Sequence, residues 1–143
     1  MESSLNTWWI YALLSALFAA LTTIFAKVGI QNIDANLATA VRTVVIVVIA
    51  WGVVCAEGNL GKLSIIPPRT LGFLVISGVT TGLSWLFYFQ ALQLGKAAQV
   101  APIDKSSVVL VILFSAIFLQ EPLTLKVVIG GCLIAIGTVV LVL

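Results

Sequence analysis

The chain has 143 residues, 62% of them apolar or aromatic and only 8% charged, with seven basic against five acidic side chains and a net charge of +2. A soluble domain devotes about a quarter of its residues to charge, so this composition excludes one. Histidine is absent, which removes the commonest zinc ligand and the commonest general base, and the basic residues are scattered singly, which excludes a nucleic-acid surface.

The first apolar stretch, Trp8–Ala26, is too long for the core of a cleaved signal, and Glu2 stands where a basic region is expected, so it reads as a permanent span. A polar link over residues 27–36 leads to the second stretch, Leu37–Cys55. Residues 56–70, with Gly58, Gly61 and the pair Pro67–Pro68, form an extended turn before the third, Leu71–Leu94. Gly95–Lys96 separates it from the fourth, Ala97–Leu119. Gln120–Glu121–Pro122 then precedes the fifth, Leu125–Leu143, with Thr124 placed as its N-cap. Each stretch meets the ~20 apolar residues that a bilayer span needs. Without water, backbone amides must pair inside their own segment, so all five are expected to be helices.

The expected fold is therefore an all-α integral membrane protein. Five transmembrane helices, joined by short links that force antiparallel neighbours, form a compact bundle in one domain over residues 1–143. The lipid bilayer is its first partner. Cys55 and Cys132 fall in different stretches and are expected to be free thiols. Lys62, Arg69 and Lys126 lie on the face of the N-terminus. Lys27 and Lys96, with Arg42 and Lys105 just inside the spans, lie on the other. The positive-inside rule gives no orientation from so even a balance.

Three spans carry polar stripes at helical spacing. Span one has Tyr11, Ser15, Ala19, Thr22 and Ala26; span three has Ser77, Thr81, Ser84 and Tyr88, flanked by Gly78, Gly82, Trp85 and Phe89; span four has Asp104, Ser107, Val111 and Ser115. Such residues serve either as helix-packing glue or as the walls of a weakly polar cavity. Gly78 and Gly82 form a GxxxG pair that lets helices approach closely. The ionisable residues carry more. Asp104 and Arg42 lie several residues inside their spans and Lys105 follows Asp104. Charges at such depth face the bundle interior, paired or lining a solute pathway. Asp104 has two candidate partners, Arg42 and Lys105, and Pro102 is placed to start the fourth helix or break it locally. The deep charges leave one positive in excess, which leans towards neutral, zwitterionic or anionic solutes.

No serine–histidine pair, HExxH motif or glycine-rich phosphate loop is present, so no enzyme, cofactor or metal site is expected.

From span three onward the runs Tyr88-Phe-Gln-Ala-Leu-Gln-Leu-Gly95, Ala98-Gln-Val-Ala-Pro-Ile103, Leu119-Gln-Glu-Pro-Leu-Thr124 and Gly130-Gly-Cys-Leu-Ile-Ala-Ile-Gly137 stand in an order that resembles the EamA repeat of the drug/metabolite transporter superfamily. Trp8–Lys27 and Arg42 resemble the first half of that repeat. The sequence departs from the family pattern at Ser106–Ser107, where many members have a proline, and at Pro122, where a basic residue is common. Most members carry two repeats, and this chain looks like the five-span bacterial and archaeal subgroup. The resemblance implies a secondary transporter for a small organic metabolite in the inner membrane. The alternative is a non-transporting membrane assembly or regulatory subunit. Proton-coupled cation export of the kind seen in small multidrug resistance proteins is disfavoured, because Trp8–Ala26 holds no carboxylate. Since five helices are few to enclose a solute path, an antiparallel homodimer of ten spans is expected, with a parallel dimer or a hetero-pair with a second short subunit as its main rival. Gly130, Gly131, Ala135 and Gly137, with Gly78 and Gly82, are the candidates for close helix packing or dimer contact. Substrate-pathway candidates are Tyr11, Ser15, Arg42, Ser77, Thr81, Ser84, Trp85, Tyr88, Asp104, Lys105 and Ser107.

Overall fold

The computed structural model describes residues 7–143; the reading of Glu2 lies outside them. The described residues are all-α, without a strand: α1 Trp8–Gly29, α2 Ala35–Ala56, α3 Pro68–Leu94, α4 Ala97–Lys105, α5 Ser107–Phe118 and α6 Leu125–Val142, with a short 3-10 segment Asn59–Ile65. Counting α4 and α5 as one span, Ala97–Phe118, five helices are long and apolar enough to cross a membrane. Most large apolar side chains are exposed, as expected where lipid rather than protein covers them.

Several helix ends extend past the apolar stretches, because polar residues carry the first and last turns. α2 begins at Ala35 since the Asp34 carboxylate accepts the N–H groups of Asn36 and Leu37 at 2.9 and 3.0 Å, two of the donors that a helix start leaves without partners. α3 begins at Pro68, where a missing N–H costs nothing and a fixed φ suits the first turn, and the Pro67 carbonyl accepts the Leu71 N–H at 3.0 Å. Thr124 caps α6 through the Val127 N–H.

Pro102 lies inside the fourth span, but the helix tightens four residues later. The Ser106 N–H bonds both the Pro102 and Ile103 carbonyls at 3.0 and 3.1 Å, and the Ser106 carbonyl accepts from Val109 at 2.9 Å. That is a 3-10 turn between α4 and α5. Gln120 ends the span with φ of 58°, a left-handed residue that turns the chain so that the Glu121 N–H returns to the Ser115 carbonyl.

The chain groups into two compact units. Phe25–Gln93 form one. At one end of it the end of α1, the start of α2 and the end of α3 are tied by polar side chains. Lys27 donates to the Leu92 carbonyl, Gln93 to the Ile33 carbonyl at 2.9 Å, and Gln90 to Asn36 at 3.4 Å. Ile30, Ala35, Ala38, Thr39, Phe89 and Leu92 are buried there. Gly58, with φ of 70°, turns the chain after α2, a conformation that glycine adopts without cost.

The other unit holds residues 7–24 with Leu94–Leu143. Here α4 and α5 pack on α6. Gly131 is buried, and a Cβ at its position would lie 3.3 Å from Ile112 Cδ1. Thr138 donates to the Pro102 carbonyl at 3.4 Å and to the Ile134 carbonyl at 2.9 Å. Both cysteines are free thiols and exposed.

The cap on α2 gives a direct expectation. Asp34→Ala removes the acceptor for two helix N–H groups and lowers stability in detergent by about 1 kcal/mol, whereas Asp34→Asn retains most of it. Thermal unfolding of the two variants checks this; equal midpoints would remove the cap's role.

Candidate functional site

Threonine hydroxyls in the spans are mostly turned back on their own helices. Thr39 donates to the Ala35 carbonyl at 2.9 Å, Thr43 to Thr39 at 2.7 Å and Thr81 to Ser77 at 2.8 Å. A hydroxyl spent in this way satisfies itself in hydrocarbon and needs no solute. Ser77, Thr81 and Ser84 are exposed along α3, as are Tyr11 and Ser15 on α1 and Ser107 at the start of α5.

The deep charges differ from one another. Asp104 and Lys105, on α4, pair with each other at 3.0 Å. This pair is electrically neutral as a unit. Lys105 lines a cavity of about 520 Å³ whose walls include Ala16, Ala19 and Ala20 of α1 and Ala98 and Ala101 of α4. Tyr11 and Ser15 do not line it. Pro102 has no N–H to offer the Ala98 carbonyl one turn earlier, so a backbone acceptor is left at this wall.

Arg42 stands alone in charge. It lies seven residues into α2, a depth of about 10 Å along the helix. Its guanidinium carbon stands 3.8 Å from the ring centroid of Trp85 and 5.1 Å from that of Phe89. The two rings are one helical turn apart on α3, so both reach the same cation. Tyr88 meets Phe89 edge-on at 6.4 Å. Arg42 Nη1 is buried and no described group hydrogen-bonds it. The acidic groups of the same unit are engaged elsewhere, Asp34 on the α2 backbone and Glu57 on Asn59 at 2.8 Å.

Of the sequence candidates, the fold thus brings together Arg42 and Trp85, with Tyr88 beside them. It brings Lys105 to the alanine-walled cavity with Asp104 at its side. Ser77, Thr81 and Ser84 of α3 are exposed. Phe89 was not among the candidates, although its spacing of four from Trp85, opposite an arginine in an apolar span, carried the signal. The side chains of Asn36, Gln90 and Gln93, which close the end of this unit, were also missed, because amides near span ends read as ordinary links. No group of three or more acidic, cysteine or histidine side chains among the described residues is placed to hold a metal.

A glycine's neighbourhood distinguishes the packing candidates. A Cβ at Gly131 would press on Ile112, while one at Gly78, Gly82, Gly130 or Gly137 would meet nothing within 4 Å.

The sequence profile of the EamA-like transporter family matches residues 6–143. The chain belongs to this family. It is 51% identical over 136 residues to an uncharacterized transporter from the cobO 3' region of a Sinorhizobium species, covering 95% of this chain and 96% of that one. It is 30% identical over 132 residues to an uncharacterized protein of Methanocaldococcus jannaschii, covering 92% and 93% of the two chains. No solved structure matches it. The EamA-like chain is therefore a multi-pass membrane protein of a transporter family, and family and relative point to transport rather than to enzymatic chemistry.

The Asp104–Lys105 pair can be tested as a unit. Asp104→Asn leaves an ammonium without its counter-charge and destabilises the protein, and adding Lys105→Gln restores most of the loss. A double-mutant cycle on thermal stability in nanodiscs is expected to give a coupling of about 1–3 kcal/mol. Strict additivity would show that each charge is solvated independently.

Proposed function

We propose that this EamA-like protein is a secondary transporter for a small organic metabolite, working in the inner membrane as a ten-span homodimer. The observation that carries the reading is Arg42, a cation about 10 Å along a membrane-spanning helix with a buried donor that nothing in its own unit satisfies. A charge costs about 2.5–3.5 kcal/mol at the centre of a span even by the lower scales. Stacking on aromatic rings returns about 2 kcal/mol or more once desolvated. A membrane protein retains such a residue where a solute or water meets it.

Length and parity support the dimer. The chain covers 96% and 93% of the lengths of the two relatives. Many carriers build their path between two inverted repeats, with the solute near the midplane. An odd number of spans gives an inverted second copy when one chain inserts each way round, and the even balance of basic residues on the two faces permits this. The uncovered glycines Gly78, Gly82, Gly130 and Gly137 offer close-approach surface for a second copy.

Reconstitution tests the function. Proteoliposomes offered a mixture of organic metabolites are expected to accumulate at least one of them by mass spectrometry, above protein-free liposomes. Failure of every metabolite to enter would favour the assembly-subunit reading. C-terminal fusions to a cytoplasm-only and an outside-only reporter test the inverted pair: both are expected to be active, and activity of one alone would exclude it.

A further inference from the structure

We propose that Arg42 is the docking point for the carboxylate of a small monoanionic organic acid, with Trp85 and Phe89 holding its guanidinium in the plane that receives it. This rests on the transporter reading above and names its substrate class. A guanidinium uses its faces for stacking and its edges for hydrogen bonds. The central carbon of Arg42 stands 3.8 Å over the Trp85 ring and 5.1 Å over the Phe89 ring. The buried Nη1 has no acceptor.

The missing acceptor comes from outside the unit. Asp34 and Glu57, its acidic residues, are committed to the α2 backbone and to Asn59, and Asp104 is neutralised by Lys105. The acceptor's charge and shape follow from the fork it meets. A carboxylate is planar and takes two parallel N–H···O bonds from arginine. With one negative charge it brings the site to neutrality, the condition that hydrocarbon surroundings favour. A phosphate monoester carries about −1.5 to −2 charges at neutral pH and would leave the site negative. A neutral amide has the shape of the acid but lacks the charge.

Trp85 supplies its own reporter. With Trp8, Trp9 and Trp51, the other three tryptophans, replaced by phenylalanine, fluorescence in phosphatidylcholine nanodiscs reports the ring beneath Arg42. The probes are acetate, lactate and benzoate, their amides acetamide, lactamide and benzamide, and inorganic phosphate. At least one acid is expected to change the emission saturably, at a concentration about tenfold or more below that of its amide. Arg42→Gln is expected to abolish the response while keeping a thermal midpoint no lower than that of the parent, because it removes a charge from an apolar span. Arg42→Lys, which keeps the charge but loses the planar fork, is expected to weaken the acid about tenfold.

The proposal is overturned if no acid responds, as when a lipid phosphate already occupies the arginine. It is equally overturned if acid and amide titrate alike, if phosphate binds more tightly than every acid, or if the response survives Arg42→Gln. The transporter reading fails separately. An acid that titrates Trp85 while proteoliposomes carry nothing leaves the carboxylate site standing without transport. A neutral solute carried at an undiminished rate by Arg42→Gln removes the site and leaves the transporter.

Discussion

Water is what a guanidinium loses when it enters a span, and the arrangement of α2 against α3 is organised around replacing it. A helix spends its own backbone hydrogen bonds internally, and threonines such as Thr39, Thr43 and Thr81 return their hydroxyls to the same helix. Arg42 is too long and carries too many donors for that solution. Rings one turn apart on α3 stand against its central carbon, and its buried Nη1 remains unsatisfied. The other deep charges, Asp104 and Lys105, compensate each other. The solute reading proposed for this unit rests on that one excess positive charge.

Polar side chains do a different task at the ends of the same helices. Lys27, Gln90 and Gln93 each reach across to a neighbouring element, and Ile30, Ala35, Phe89 and Leu92 are the most buried apolar side chains of the unit. Among these bonds Gln90 to Asn36, at 3.4 Å, joins α3 to α2. The rotation of α3 matters to the site, since a turn by one residue, about 100°, would carry Trp85 and Phe89 away from Arg42.

The spans were legible because hydrocarbon imposes one rule on every residue within it, and five apolar stretches of adequate length answer that rule. Their ends were less legible. Asp34 and Pro68 extend α2 and α3 outward through local capping chemistry, which a hydropathy count does not register. The turn that divides the fourth span falls at Ser106, after Pro102 and not in the preceding turn that a proline disturbs. At the site, depth and charge marked Arg42, Asp104 and Lys105 from sequence. Their partners depended on helix rotation, which one sequence does not encode in any simple spacing: Asp104 turned to its neighbour, and Arg42 turned to rings on another helix. The hydroxyl stripe of Ser77, Thr81 and Ser84 read as either packing glue or a cavity wall; the stripe is exposed, and Thr81 donates to the backbone beside it.

Because the chain has two arginines, Arg42 and Arg69, nitrogen-15 labelling of arginine gives two sets of guanidinium signals, and Arg69→Lys assigns them. The most direct measurement is the side-chain spectrum of the labelled protein in nanodiscs while an organic acid is added. The account predicts that the Arg42 Nη resonances shift and saturate while those of Arg69 stay in place. Arg42 signals that never move, or that move only in step with Arg69, would contradict a solute site at Arg42.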